Sequence, residues 1–134
     1  MIIFESFFFL IYRFVWTPLA LTLLFFISQK NKKIRNGWNE RINSLNKASI
    51  LKVLAGRQPI LIHASSGEFE YAKPIIREIK RLYPTVPIAV TYFSPSYAKA
   101  IRQEPGVDIA LPLPLDLPTP IHGFLLTLNP CMIL

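Results

Sequence analysis

The chain has 134 residues, 51% of them hydrophobic, and 15 basic against 8 acidic side chains give it a formal net charge of +7. That length allows one domain at most, since domains commonly run roughly 100–150 residues. The hydrophobic content excludes a disordered chain, and a single cysteine, Cys131, excludes an internal disulfide framework and a cysteine-based zinc site. His63 and His122 lie too far apart for a local H-E-x-x-H motif, so no metal site is expected.

The charge is unevenly placed. Residues 2–27 hold 20 hydrophobic residues and two charges, Glu5 and Arg13. Residues 28–57 hold eight basic residues (Lys30, Lys32, Lys33, Arg35, Arg41, Lys47, Lys52, Arg57) and one acid, Glu40. Residues 58–134 sum to zero, six basic against six acidic residues, so no basic folded face is expected and nucleic acid is excluded as a partner. Three segments follow: an apolar helix over 1–28, a basic juxtamembrane segment over 29–57, and a soluble α/β part over 58–134.

The start, Met1-Ile2-Ile3-Phe4-Glu5, has no basic n-region, and Phe25-Phe26-Ile27 offers no A-x-A pattern, so a cleaved signal peptide does not fit. The apolar stretch exceeds the roughly 20 residues that a spanning helix needs. Arg13 at mid-helix costs about 2.5–3.5 kcal/mol on insertion scales, which snorkelling reduces. Pro18 predicts a kink. A spanning anchor and a helix lying in the interface both remain open. The basic run from Lys30 to Arg35 places its side of the membrane in the cytoplasm, and it attracts anionic lipid.

From residue 58 strands and helices alternate. Ile60-Leu61-Ile62 reads as a buried parallel strand. A helix begins near Glu68, with Ala72, Ile75, Ile76, Ile79, Leu82 and Tyr83 at helical spacing. Pro74 fits its first turn or two, and Pro84 stops it. Ile88–Tyr92 is a second strand. Ser94 as N-cap and Pro95 at N1 open a short helix through Ile101. Val107–Leu111 is a third strand, Leu117–Leu128 is helix-compatible, and Cys131-Met132-Ile133-Leu134 opens a fourth strand. This order predicts an α/β fold with an incomplete Rossmann-like parallel sheet and right-handed crossovers. The apolar ending reads as a truncation or as a domain awaiting more sheet.

Ligands of parallel sheets bind at the carboxyl ends of strands, where the loop His63-Ala64-Ser65-Ser66-Gly67-Glu68 falls. Gly67 admits close backbone approach, and the helix start presents free N–H groups. Glu68, the one acid in the loop, is placed to act as a general base on an acceptor hydroxyl. Against that, Ser65-x-x-Glu68 is also a capping box, in which Ser65 bonds the Glu68 N–H and the carboxylate reaches back. The helix N-terminus favours the ionised carboxylate, which weakens it as a base. The loop is not a phosphate-binding G-x-x-x-x-G-K-[ST] loop, and His63 at a strand end reads first as a packed, hydrogen-bonded residue.

Ile62-His63-Ala64-Ser65-Ser66-Gly67-Glu68 resembles the I-H-A-S-V-G-E signature of the 3-deoxy-D-manno-octulosonic acid (Kdo) transferases of lipopolysaccharide assembly. Lys33-Ile34-Arg35-Asn36-Gly37 and Glu40-Arg41 look like that family's basic segment after its anchor. Pro84-Thr85-Val86-Pro87-Ile88 into Val90-Thr91 looks like its second strand. Leu113-Pro114-Leu115-Asp116-Leu117-Pro118 is similar to its L-P-x-D-x-P, with Phe124-Leu125 and Pro130 in register. Ser66 replaces the usual Val, Ser94-Pro95-Ser96-Tyr97 lacks the family's Gly, and the family's E-T-E-x-W-P-N segment is absent.

The resemblance implies the N-terminal, acceptor-binding domain of a two-domain GT-B glycosyltransferase. It implies Glu68 as catalytic base, Ser65, Ser66 and Gly67 as the acceptor-binding loop, CMP-Kdo as donor through a C-terminal domain, a lipid A precursor (lipid IVA) as acceptor, inversion at the anomeric carbon, and no metal or cofactor. Lys30, Lys32, Lys33 and Arg35 then hold acceptor phosphates or face the anionic membrane. The chain by itself is expected to be inactive. The competing reading is a non-catalytic, membrane-anchored α/β interaction module.

Overall fold

The computed structural model describes residues 9–42 and 47–134. The start of the apolar segment (1–8) and residues 43–46 of the basic segment lie outside the described residues, as do the side chains of Lys33 and Lys47. The chain divides into two compact units, Met1–Asn39 and Glu40–Leu134.

In the first unit a helix long and apolar enough to cross a membrane covers Phe9–Ile27, and none of that window is buried within the protein. Its second half is α1 (Thr17–Lys30). Pro18 has no N–H to give the preceding turn, and the helix accommodates it by widening into a π-helical turn over Tyr12–Trp16. Thr17 Oγ1 donates to the Tyr12 carbonyl at 2.8 Å and Thr22 Oγ1 to the Pro18 carbonyl at 2.7 Å, so hydroxyls engage a carbonyl of the widened turn and that of the proline itself. Asn31, in extended conformation, ends α1, and α2 (Lys32–Ile42) starts at once, its residues from Glu40 onward belonging to the second unit, with Asn31 Oδ1 accepting the Ile34 N–H at 3.4 Å.

The second unit is a four-stranded, all-parallel sheet with strand order β3-β2-β1-β4. Its strands are β1 (Ile60–Ala64), β2 (Ile88–Tyr92), β3 (Ile109–Pro112) and β4 (Met132–Ile133). Between them run α4 (Phe69–Leu82), α5 (Pro95–Gln103) and α6 (Pro118–Leu128), and α3 (Lys47–Leu54) precedes β1. This is the Rossmann-like α/β arrangement that the alternation of elements predicts.

Strand alternation divides the core in two. Ile60, Ile62, Ala64, Ile88, Val90 and Tyr92 face Phe69, Ala72 and Ile76 of α4 and Ala98 and Ile101 of α5. Leu61, Ala89 and Leu111 face Ile50 and Leu54 of α3 and Phe124 and Leu128 of α6. Each fully buried side chain, such as Ile76, Ile88 or Ile101, contributes about 1.5–3 kcal/mol. Sheet and helices therefore form three layers, with helices on both faces.

Polar contacts pin the edges. Lys80 on α4 reaches Asp108 Oδ2 at 2.7 Å and the Val86 carbonyl at 2.9 Å, and the same Oδ2 accepts the Ile88 N–H at 2.7 Å. Arg77 closes on the buried Glu104 carboxylate at 2.8 Å. The third strand starts later than expected, at Ile109, because Val107 is held in a turn by its N–H to the Glu104 carbonyl. The turn passes through Gly106 at φ +96°, where a Cβ would stand 3.0 Å from Lys80 Cγ and 3.2 Å from Ile76 Cγ2, so only glycine fits there.

Candidate active site

The chain proceeds outward from β1 to β2 to β3 and then returns to place β4 on the other side of β1. The strand order therefore reverses at β1, and a crevice opens beyond the carboxyl end of a strand at such a reversal. The loop at the carboxyl end of β1 is Ser65-Ser66-Gly67-Glu68.

Ser65 holds this loop together. Its N–H donates to Glu68 Oε2 at 2.9 Å. Its carbonyl accepts the N–H groups of Phe93 at 3.3 Å and Ser94 at 3.1 Å, which tie the loop to the segment after β2. Its Oγ stands 3.4 Å from His63 Nε2, while His63 Nδ1 lies 3.1 Å from Thr91 Oγ1. Half of the expected capping box is thus formed: the carboxylate reaches back, but the Ser65 hydroxyl turns to His63 and makes no bond to the Glu68 N–H. The reason is local backbone geometry. Glu68 already has helical dihedrals, φ −56° and ψ −24°, and tight-turn bonds from Phe69 N–H to Ser66 and from Glu70 N–H to Gly67 wind the first turn without a side-chain cap.

Glu68 is exposed, and with Oε2 held by Ser65 its Oε1 has no partner among the described residues. The N–H groups of Ser66, Gly67 and Glu68 likewise find no acceptor there. A half-held, solvent-facing carboxylate beside three open donors can accept a proton and bind an oxygen-rich group on the same loop. Gly67 does not have the positive φ of Gly106, and a Cβ on it would meet Tyr97 Oη at 3.6 Å, an ordinary contact. The fold itself therefore tolerates a side chain at position 67.

His63 is exposed with both ring nitrogens engaged, so it is hydrogen-bonded as expected but at the surface. Lys30, Lys32 and Arg35 are exposed and belong to the first unit, whereas Ser65, Ser66, Gly67 and Glu68 belong to the second. Among the described residues, no group of three His, Cys, Asp or Glu side chains could hold a metal ion.

Three neighbours of the loop were not singled out by spacing. Tyr97 faces Gly67 from α5. Thr91 is buried at the carboxyl end of β2 with its hydroxyl on His63. Arg41 at the end of α2 donates to the Phe93 carbonyl at 2.9 Å and lies 3.7 Å from the centroid of the Phe93 ring. No periodic pattern links position 41 to position 93.

Residues 36–134, nearly three-quarters of the chain and all of the loop, match the family model described as 3-Deoxy-D-manno-octulosonic-acid transferase (kdotransferase). The chain belongs to the Kdo transferase family. It is 33% identical over 115 residues to the 3-deoxy-D-manno-octulosonic acid transferase of Haemophilus influenzae, an alignment covering 84% of this chain and 26% of that protein. The chain therefore spans about a quarter of the length of that relative. No solved structure matches it. Lys30, Lys32, Lys33 and Arg35 precede the segment matched by the Kdo transferase model, whereas Arg41, Ser65 and Glu68 fall inside it.

Proposed function

We propose that this chain is the acceptor-side portion of an inverting, GT-B-type Kdo transferase, in which Glu68 is the catalytic base. Family membership supports the reaction class. The observation that carries the role of Glu68 is its half-held carboxylate: Oε2 is fixed by the Ser65 N–H and Oε1 is open. In the proposed step a hydroxyl of the lipid A precursor gives its proton to Oε1 as its oxygen bonds to the anomeric carbon of Kdo. The bond from that carbon to the phosphate of CMP breaks, and CMP leaves with the electron pair. The open N–H groups of Ser66 and Gly67 bind oxygens of the acceptor sugar, and the glycine at 67 leaves room for its approach.

The apolar segment Phe9–Ile27 holds the chain at the bacterial inner membrane with the sheet on the cytoplasmic side. Lys30, Lys32, Lys33 and Arg35 follow at the membrane face, where the phosphates of a lipid A precursor lie. The CMP-Kdo donor site belongs to a part of the enzyme outside residues 1–134, so these residues alone bind acceptor and transfer nothing.

The experiment is direct. Purified residues 1–134 in detergent micelles are titrated with lipid IVA and then supplied with CMP-Kdo. Saturable binding, weakened by reversing the charges of Lys32, Lys33 and Arg35, with no Kdo transferred, is the expected result. Transfer by this chain alone overturns the division of labour, and absence of binding overturns the acceptor-side assignment.

A further inference from the structure

Glu68 can keep its place only if Ser65, which holds its Oε2, is itself held. Its carbonyl is gripped by the N–H groups of Phe93 and Ser94, so the position of the segment after β2 sets the position of the Glu68 loop. Yet Phe93 is 53% exposed and is not anchored in either half of the core. Its hold comes from Arg41. One planar guanidinium donates to the Phe93 carbonyl at 2.9 Å and stacks over the Phe93 ring at 3.7 Å, restraining main chain and side chain of the same residue. Beside it, at the end of β2, the Tyr92 hydroxyl accepts from Arg102 Nη2 at 3.1 Å. Arg41 is thus fastened to Phe93, the exit from β2.

We propose that Arg41 is a positioning residue for the base, acting through Phe93 and Ser65 on Glu68. The inference rests on the assignment of Glu68 as base for its catalytic meaning, but the mechanical coupling stands on geometry alone. Three consecutive links carry it: Arg41 to the Phe93 carbonyl, the Phe93 and Ser94 N–H groups to the Ser65 carbonyl, and the Ser65 N–H to Glu68 Oε2. Lysine cannot replace the arginine. An ammonium keeps the charge but lacks the flat face that stacks while its edge donates.

The test uses the whole 134-residue chain in micelles, followed by amide hydrogen exchange and by NMR shifts of the Ser65 amide proton and the Glu68 side-chain carboxyl carbon. Arg41→Lys and Arg41→Ala are each expected to speed exchange at Phe93, Ser94 and Ser65 by about tenfold or more, the scale of one lost charge-assisted hydrogen bond. Both variants are also expected to move the Ser65 and Glu68 shifts, with Ile62 and Val90 in the core unchanged. Unaltered Ser65 and Glu68 signals in a folded Arg41→Ala chain overturn the proposal. Should Arg41→Ala loosen the whole sheet, Arg41→Lys decides: selective loosening of 93, 94 and 65 supports positioning, and uniform loosening leaves Arg41 a purely structural residue and overturns it. Glu68→Gln separates the two readings, because a failed base assignment leaves these exchange effects of Arg41 in place.

Discussion

The main-chain N–H of Ser65 donates to Oε2 of Glu68 at 2.9 Å, and this bond fixes where the carboxylate points. The donor is backbone, so the serine side chain contributes little to it. Ser65→Ala is therefore expected to change stability by less than about 0.5 kcal/mol, where loss of a true capping hydroxyl costs about 1 kcal/mol. Denaturant unfolding followed by circular dichroism measures the difference. A loss near the capping value contradicts the half-formed box.

The two glycines near the sheet make opposite predictions. At Gly106 an added methyl group meets Lys80 and Ile76 at a positive φ, so Gly106→Ala is expected to destabilise the fold by about 2–4 kcal/mol. At Gly67 the same methyl group meets only Tyr97 Oη at 3.6 Å. Gly67→Ala is expected to leave the unfolding midpoint unchanged and to weaken acceptor binding, measured by titration with lipid IVA. Equal destabilisation by both substitutions contradicts the claim that position 67 is kept open for a ligand.

Tyr92 links the fold to pH. Burial raises its phenol above the ordinary tyrosine value, Arg102 opposes the shift, and Glu40 adds to it. The folded state thus favours the neutral phenol. Its contribution to stability is complete below the unfolded value of about 10 and is lost as pH rises above it. Glu40→Gln is expected to move the Tyr92 transition down toward the ordinary value. Ultraviolet titration against a Tyr92→Phe chain isolates that signal, and an upward movement contradicts the electrostatic account.

Much of this architecture can be read from residue order. The continuous apolar runs Ile60–Ile62 and Ile88–Val90 and the helical spacing of Ala72, Ile76 and Ile79 reflect burial, which is written in local sequence. Ser94-Pro95 and Pro84 mark helix ends by chemistry that acts within a few residues. The loop Ser65–Glu68 was legible for the same reason: a short polar run after a strand in an α/β alternation has one place to go. What was not legible is non-local. The part played by Ile50 and Leu54 in covering the second face is hidden among basic residues, because two buried positions in a short helix make no long pattern. The hold of Arg41 on Phe93 spans 52 positions, and a cation in a basic run reads as one more surface charge until the fold brings it to an exposed ring. Spacing alone points the Ser65 hydroxyl to capping, because it shows what a side chain can reach and not which of two partners wins.

The central claim is that Glu68 takes the acceptor proton, and the most direct measurement replaces that carboxylate in a complete enzyme. The matched segment of the Haemophilus influenzae transferase is exchanged for this chain, and transfer of Kdo from CMP-Kdo to lipid IVA is followed with Glu68 and with Glu68→Gln. The amide keeps the size and the bond from the Ser65 N–H but cannot accept a proton. The account predicts a loss of about 10²–10⁴ in kcat with lipid IVA binding unchanged. Undiminished transfer by the Glu68→Gln chimera would contradict it and leave the loop a scaffold.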